Sequence, residues 1–240
     1  MMKPRGPFVK IVMMGSGGFG GYFGARLAAG GADVHFVARG AHLDAMRSQG
    51  LTIEGPVPLH LPKVQATSDP SSIGLADFVL MAVKLWDTAT AIEQIKPIVG
   101  PNTTVISFQN GVLKDRYLRE AFDASRVMGG VGYVATAIAR PGVIGQTGSM
   151  QRLLFGELDG AISDRGKRLL NACLKGGIAA ELSRDIQREI WQKYVFIVGL
   201  SGTTTTIRKP IGPIRNNAQT REFLLDVMRE VAAVGRAHGI

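Results

Sequence analysis

The chain has 240 residues, is 45% hydrophobic and carries 28 Lys and Arg against 19 Asp and Glu, for a net charge of +9. This composition predicts a globular protein with a substantial core. The basic residues are scattered in ones and twos rather than forming a run interleaved with aromatic residues, which argues against nucleic acid and favours small anionic ligands.

The single cysteine, Cys173, excludes an intrachain disulfide framework and a thiol-based zinc cluster. No segment approaches the ~18 uninterrupted apolar residues of a membrane span. The Met1–Pro7 segment leads into a short apolar run that glycines break from Gly15, unlike a secretory signal. We therefore predict a cytoplasmic location and no membrane partner.

Short apolar runs alternate with helical stretches over the first half of the chain. The runs cover residues 9–14, 34–37, 78–83 and 104–108. Continuously apolar strands are expected in a sheet that is covered on both faces, and their alternation with helices predicts right-handed βαβ units. The predicted fold is therefore α/β, a Rossmann-type, doubly wound, mostly parallel sheet.

Three further apolar segments, 127–134, 142–145 and 152–156, are separated by glycine-containing turns. We place them as antiparallel additions to the sheet. From about Ser183 the apolar residues repeat at spacings of three and four, which predicts helices, with a bend at Lys209–Pro213 because proline disrupts a helix. Two domains follow: a Rossmann domain over 1–183 and an all-helical domain over 184–240.

A glycine-rich loop directly follows the first predicted strand and precedes a potential helix. It reads Gly15-Ser16-Gly17-Gly18-Phe19-Gly20, a G-x-G-x-x-G pattern. The first glycine permits the tight turn, the second lets a pyrophosphate approach the backbone, and the third lets the helix pack on the strand. The order of strand, loop and helix favours a dinucleotide site, with phosphates at the helix N-terminus, over a merely glycine-rich turn.

The residue that ends the second predicted strand indicates which dinucleotide is bound. A free ribose 2′-hydroxyl usually meets an acidic residue about 20 positions past the loop. This chain has Arg39, nineteen positions beyond Gly20. A guanidinium there can bind a 2′-phosphate through two hydrogen bonds. A solvated surface arginine is the alternative, and we predict NADP as the cofactor.

Polar residues end two other predicted strands, where ligands bind to doubly wound sheets. Lys84 follows the run 78–83 and is a candidate partner for a substrate carboxylate or a phosphate. Asn110, within Gln109-Asn110-Gly111, is a candidate for holding the nicotinamide ribose or the substrate. The alternatives are a solvent-facing lysine and an asparagine-glycine turn.

Lys193 lies inside the apolar stripe of the first C-terminal helix, among Ile186, Ile190 and Ile197. Burial there would lower its pKa towards neutrality, which suits a general acid. A lysine that extends to solvent is the alternative. The four histidines, His35 in a strand and His42, His60 and His238 elsewhere, have no partners that the sequence identifies, and we predict no metal site.

Together these features resemble the ketopantoate reductase (2-dehydropantoate 2-reductase) family. The resemblance rests on the glycine loop, Arg39, Val83-Lys84, Gln109-Asn110-Gly111 and Trp191-Gln192-Lys193. It implies NADPH-dependent reduction of a branched 2-keto acid in pantothenate biosynthesis. It also implies that Lys193 protonates the ketone oxygen while Asn110 and Lys84 position cofactor and substrate.

The chain departs from the family pattern in three respects. Family members have substrate-contacting asparagines four and eight residues after the lysine, whereas this chain has Ile197 and Ser201 at these substrate-site positions. The family's helical domain also continues past the position of Ile240, with a substrate-binding serine and a functional glutamate, so we expect a truncated chain. Two alternatives stay open: a reductase of another 2-keto acid, and a noncatalytic NADP-binding protein. The helical domain offers apolar surface for a homodimer, although no residue establishes one.

Overall fold

The computed structural model describes residues 9–240, and the Met1–Pro7 segment considered above lies outside them. The strands are β1 (Lys10–Met14), β2 (Asp33–Val37), β3 (Leu51–Glu54), β4 (Leu59–Leu61), β5 (Gln65–Thr67), β6 (Phe78–Met81), β7 (Thr104–Ser107), β8 (Val127–Arg140), β9 (Val143–Gly156) and β10 (Ala179–Leu182). The α-helices are α1 (Gly18–Ala29), α2 (Gly40–Gln49), α3 (Thr88–Ile95), α4 (Lys114–Ala121), α5 (Asp164–Lys175), α6 (Ile186–Ile207), α7 (Ile211–Asn216) and α8 (Ala218–Ala237).

One half of the sheet has the strand order of a dinucleotide-binding fold. Its strands lie in the order β5-β2-β1-β6-β7-β8, and each neighbouring pair is parallel. The order reverses at β1, because the chain first adds strands on one side of β1 and then on the other. The predicted doubly wound α/β fold is therefore confirmed.

The other half of the sheet is mixed. Strand β9 is antiparallel to β8, β3 is parallel to β9, β4 is antiparallel to β3, and β10 pairs in parallel with the second half of β9. Antiparallel additions are thus present, but two details of the prediction were wrong. The segments 142–145 and 152–156 do not form separate strands, since 143–156 is one strand, and β8 begins as a parallel neighbour of β7 rather than as an antiparallel addition.

Both faces of the parallel strands β1, β6 and β7 are buried, as their continuous hydrophobicity predicts. Alternate residues of each strand point to opposite faces, so Met13 and Leu80 join one core cluster and Val12 and Val79 the other. Helices α1 and α5 cover the first face, and α3 and α4 cover the second. These layers fix the ends of the parallel strands on which the candidate site is built.

The C-terminal region is helical, as expected, and it is packed against the sheet. Ile186 and Ile190 of α6 are buried against Val131 and Leu154. Helix α6 ends before Arg208, which has a left-handed backbone conformation (φ 55°), and Pro210 caps α7. The predicted bend is therefore at residues 208–210, while 211–213 are already helical; the division of the chain at residue 183 stays a prediction.

Within residues 9–240, no helix has both the length and the apolar character that crossing a membrane requires.

Candidate active site

The predicted binding residues follow four adjacent strands at one edge of the sheet. The glycine loop follows β1, Arg39 follows β2, Lys84 lies three residues after β6, and Asn110 lies three residues after β7. Because β2, β1, β6 and β7 are parallel neighbours, their carboxyl ends lie side by side. The structure thus brings these four parts to one edge, where ligands bind in doubly wound folds.

The glycine loop makes two close backbone contacts that require glycine. Gly15 has a φ of 99°, and a Cβ on it would lie 2.7 Å from the Val83 nitrogen. A Cβ on Gly20 would lie 2.0 Å from the Gly15 carbonyl oxygen. Both distances are too short for any side chain, so the loop turns tightly and α1 packs close to the strand.

Gly17 has the opposite environment, because a Cβ there would meet no atom within 4 Å. It is the N-cap of α1, and no side chain caps that helix. The first N–H groups of a helix have no intrahelical acceptors. The open space lies beside Gly17, since a Cβ on Gly18 would lie 2.6 Å from the Thr136 carbonyl oxygen. This arrangement fits the pyrophosphate of a dinucleotide: the Gly17 backbone would allow its close approach, and the first N–H groups of α1 would hold it.

Arg39 extends into solvent beyond β2. Its side chain is 88% exposed, and its Nη2 lies 3.5 Å from the Oδ2 of Asp87, which follows β6. An exposed ion pair of this length contributes little to stability. The guanidinium is therefore available to an incoming phosphate.

Gln109 fixes the strand ends that carry Lys84 and Asn110. Its buried amide donates hydrogen bonds to the Val83 carbonyl at 3.0 Å and to Thr88 Oγ1 at 2.8 Å, and it accepts one from Ser107 Oγ at 2.9 Å. These bonds connect the segment after β6 with the segment after β7. Lys84 and Asn110, both exposed, are thereby held at neighbouring positions with their polar ends free of the core.

Lys193 is partly buried between α6 and β8. Its Nζ donates a hydrogen bond to the Gly132 carbonyl and lies 5.3 Å from the centre of the Tyr133 ring. Phe19 of the glycine loop packs against the same strand, since a Cβ on Gly132 would lie 2.5 Å from the Phe19 ring. Lys193 and Phe19 therefore both contact Gly132 of β8, Phe19 from the face that α1 covers and Lys193 from the side of α6.

The surroundings of Lys193 make it easier to deprotonate than an ordinary lysine. Burial, followed by the positive charge of Lys114, lowers its pKa from 10.5 to about 8. Both effects disfavour the charged form. A lysine with a pKa near neutrality can release and regain a proton in the working pH range of an enzyme.

Lys114 was missed in the sequence because it follows a polar turn and looks like a surface residue. Its side chain is only 1% exposed, and its Nζ lies 2.8 Å and 2.9 Å from the two carboxylate oxygens of Asp115. The pair stands at the start of α4, just after Asn110-Gly111. It is a buried charged pair beside the region of Lys193, and only the tertiary structure reveals it.

The two substrate-site candidates further along α6 differ in their contacts. Ile197 is partly buried, one turn beyond Lys193. Ser201 is exposed, and its hydroxyl donates a hydrogen bond of 2.5 Å to the Ile197 carbonyl in the same helix. These two positions of α6 therefore present an apolar side chain and a hydroxyl group that is already bonded within its own helix.

Other titratable groups give no sign of a metal centre. Among residues 9–240, no group of three or more His, Cys, Asp or Glu side chains is placed to bind a metal ion. Cys173 is buried, and burial raises the pKa of its thiol to about 12, so it is unreactive.

Comparison with known proteins agrees with this geometry. The family model "Ketopantoate reductase PanE/ApbA" matches residues 11–160, and "Ketopantoate reductase PanE/ApbA C terminal" matches residues 185–240. The chain belongs to the ketopantoate reductase family. As a member of this family it is an oxidoreductase that uses a nicotinamide dinucleotide.

Three similar proteins illustrate the relationship to the ketopantoate reductase family. "Uncharacterized oxidoreductase YkpB" of Bacillus subtilis is 32% identical, covering 97% of this chain and 76% of its own. "2-dehydropantoate 2-reductase" of Mesorhizobium japonicum is 30% identical, covering 97% and 77%. The crystal structure of 2-dehydropantoate 2-reductase from Porphyromonas gingivalis is 29% identical with a TM-score of 0.89, covering 96% and 83%.

Proposed function

We propose that the protein reduces 2-dehydropantoate (ketopantoate) to pantoate with NADPH, and that Lys193 is the general acid. The observation that carries this proposal is the position of Lys193, a partly buried lysine that meets β8 where Phe19 of the glycine loop also packs. The carbonyl of a keto acid bound there would accept the lysine proton.

Arg39 supports NADP as the cofactor, because its exposed guanidinium stands where a 2′-phosphate is bound in related folds and no acidic residue takes its place. Gly15, Ser16, Gly17, Gly18, Phe19 and Gly20 would hold the pyrophosphate. Lys84 and Asn110 would orient the nicotinamide ribose and the substrate carboxylate from the adjacent strand ends. The cofactor, when bound, supplies the hydride.

Each residue has a separate role in the reaction. Asn110 and Lys84 fix the substrate, which lowers the entropic cost of bringing the reacting atoms together. Lys193 donates its proton to the carbonyl oxygen as the adjacent carbon is reduced, and the product is the 2-hydroxy acid. The neutral Lys193 amine then regains a proton from solvent, a step that its lowered pKa leaves feasible near neutral pH.

A second candidate function is the reduction of a different 2-keto acid by the same chemistry. Ile197 and Ser201 favour it, because they replace the asparagines that contact substrate in the family. An isoleucine cannot make the hydrogen bonds of an asparagine, and a site lacking those bonds discriminates differently among polar substrates.

Steady-state NADPH oxidation tests the proposal, with ketopantoate and a panel of other 2-keto acids as substrates. The control is a K193A variant with its NADPH affinity checked. We expect turnover with ketopantoate and a loss of ~10²–10⁴-fold in K193A at unchanged cofactor affinity. Turnover only with other keto acids would support the second candidate, and binding without turnover would indicate a noncatalytic NADP-binding protein.

A cytoplasmic location, a small-molecule partner rather than nucleic acid, and a homodimer complete the proposal. The lone, buried Cys173 is consistent with a reducing compartment. Exposed apolar side chains on α6 and α8, Phe196, Phe223 and Val234, are the candidates for a dimer contact. Sedimentation velocity of the purified chain tests the dimer.

A further inference from the structure

His42 connects two segments that are far apart in the sequence. It lies in the first turn of α2, and its Nε2 is 3.0 Å from the carbonyl oxygen of Ser16 in the glycine loop. Its Nδ1 is 3.0 Å from the backbone nitrogen of Gly142, in the turn between β8 and β9. Both ring nitrogens are therefore used, and each contacts backbone.

These contacts define the protonation state of the ring. The Gly142 N–H can only donate, so Nδ1 must be the unprotonated nitrogen. A neutral ring then carries its proton on Nε2, which donates to the Ser16 carbonyl. The bridge is complete only with neutral imidazole in this one tautomer.

The hydrogen bond to the Ser16 carbonyl fixes the orientation of the Gly17 N–H in the glycine loop. The Ser16 carbonyl and the Gly17 N–H belong to the same trans peptide, so they point in opposite directions. A bond that holds the carbonyl towards His42 therefore orients the Gly17 N–H away from it. The Ser16 N–H is held as well, by a 2.9 Å bond to the Val37 carbonyl.

The other end of the bridge is a firm anchor. Pro141 and Gly142 form the turn between β8 and β9, and Gly142 has a φ of 76°, a conformation that favours glycine. The Gly142 carbonyl accepts a 2.9 Å bond from the Thr52 nitrogen of β3. Gly142 is thus fixed by its bond to β3, and the hydrogen bonds of His42 connect this fixed turn to the glycine loop.

We infer that His42 is a positioning residue for the dinucleotide: neutral imidazole holds the glycine loop in its binding geometry, and protonation of the ring weakens cofactor binding. The inference rests on the proposed role of the glycine loop in binding the pyrophosphate. A protonated ring would carry a hydrogen on Nδ1, facing the Gly142 N–H, and the bridge would open on that side.

The surroundings of His42 also favour the neutral imidazole. Burial lowers the pKa of His42 from its usual 6.5, and the bond to Ser16 opposes the effect. The neutral ring is therefore the main form at neutral pH, and it is lost only as the pH falls through the lowered pKa. Charged or titratable groups on β2, α2 and its N-cap, β3 and the end of β8 are Asp33, His35, Arg39, Asp44, Arg47, Glu54 and Arg140. His35 lies 3.3 Å from Asp33, and Glu54 and Arg140 pair at 2.6 Å.

Two variants each keep one of the two hydrogen bonds of His42 and remove the other. In H42Q the side-chain amide stands near the position of Nε2, so it keeps a donor for Ser16 and cannot be protonated. In H42N the side-chain oxygen stands near the position of Nδ1, so it accepts from Gly142 without reaching Ser16. Isothermal titration with NADP⁺ at pH 7.5, and at an acid pH at which the NMR signals of the His42 ring show that it is protonated, gives the dissociation constants. Thermal unfolding at both pH values shows that each protein is folded.

We expect H42N and H42Q each to bind about tenfold more weakly than wild type at pH 7.5, because each variant lacks one of the two hydrogen bonds of the bridge. Because the cofactor phosphate also titrates, H42Q supplies the background, and wild type should lose more affinity than H42Q at the acid pH. Equal acid losses in wild type and H42Q, or unweakened binding by folded H42N, would overturn the inference. If wild type binds neither NADP⁺ nor NAD⁺, the proposed function itself fails and the inference falls with it.

Discussion

The environment of the Lys193 side chain lowers the stability of the folded protein. The fold lowers its pKa to about 8 through burial and the charge of Lys114, which means that the protein disfavours the protonated form that the proposed reaction needs. A depression of this size corresponds to roughly 3 kcal/mol at pH 7.

The rate of keto-acid reduction should depend on pH through Lys193. A general acid must be protonated, so kcat/KM should be high below pH 8 and fall as the pH rises through about 8. Oxidation of the hydroxy acid, which needs the neutral amine, should show the opposite trend. A flat profile between pH 7 and 9.5 in both directions would argue against Lys193 as the proton donor.

Removing the charges of the buried Lys114–Asp115 pair should shift the dependence of kcat/KM on pH. The double variant K114M/D115N replaces both charges, so no unpaired buried charge remains. Without the Lys114 charge the pKa of Lys193 should rise, and the alkaline limb of kcat/KM should shift to higher pH. The matched control is R116M on the exposed side of α4, which should leave the limb in place.

Replacing Lys193 with an apolar residue should stabilise the protein while abolishing the reaction. K193M removes the desolvation cost but leaves the Gly132 carbonyl without its donor, so we expect a net gain of ~2 kcal/mol at pH 7. Because the wild-type lysine becomes neutral in the fold above about pH 8, the gain should shrink as the pH rises to 10. Urea unfolding at several pH values measures it; a variant less stable than wild type at pH 7 would contradict the expectation.

At the scale of single elements, the glycine loop between β1 and α1 contains glycines with two different environments. Gly20 meets the Gly15 carbonyl at a distance that leaves no room for a Cβ, whereas Gly17 borders open space. The first kind serves packing and the second leaves room for a ligand. Both glycines belong to the same G-x-G-x-x-G pattern, so the sequence alone does not separate the two roles.

The variants G17A and G20A should therefore fail in different ways. G20A should lower the free energy of unfolding by more than ~2 kcal/mol, because backbone must move to admit the Cβ. G17A should change it by less than ~0.5 kcal/mol but weaken NADP⁺ binding at least tenfold, because the methyl group occupies the approach of the pyrophosphate. Denaturant unfolding and calorimetric titration measure the two effects. Normal affinity in G17A would mean that the phosphates lie elsewhere.

For the molecule as a whole, the contact between α6 and the sheet decides how independent the helical region is. Ile186 and Ile190 share a buried cluster with Val131 and Leu154, so the region after residue 183 is packed on β8 and β9. This packing also carries Lys193 to its position on β8. The division into two domains stays a prediction, and an unfolding experiment tests it.

We expect the sheet and the C-terminal helices to unfold together. In a W86F variant Trp191 of α6 is the sole tryptophan, and Trp86 is 80% exposed, so its loss should cost little. Trp191 fluorescence and far-UV circular dichroism should give coincident urea transitions. An earlier fluorescence transition would show that the helices unfold as a separate domain.

The sequence by itself determined the parts of this protein that depend on local pattern. Apolar runs defined strands β1, β2, β6 and β7, the glycine spacing defined the turn into α1, and the helical period placed Lys193 within the apolar stripe of α6. In each case the physical requirement acts between residues close in the chain. Family resemblance then followed from the order of these local features.

Only the tertiary structure decided the contacts between distant segments. His42 looked partnerless, yet it binds residues 26 and 100 positions away, and Lys114 looked like a surface lysine before its burial placed it near Lys193. Strand β3 pairs with β9, which the chain reaches only about 90 residues later. Periodicity shows whether a residue faces the core, but its partner there depends on the packing of the whole sheet, and that packing sets both the pKa of Lys193 and the bridge through His42.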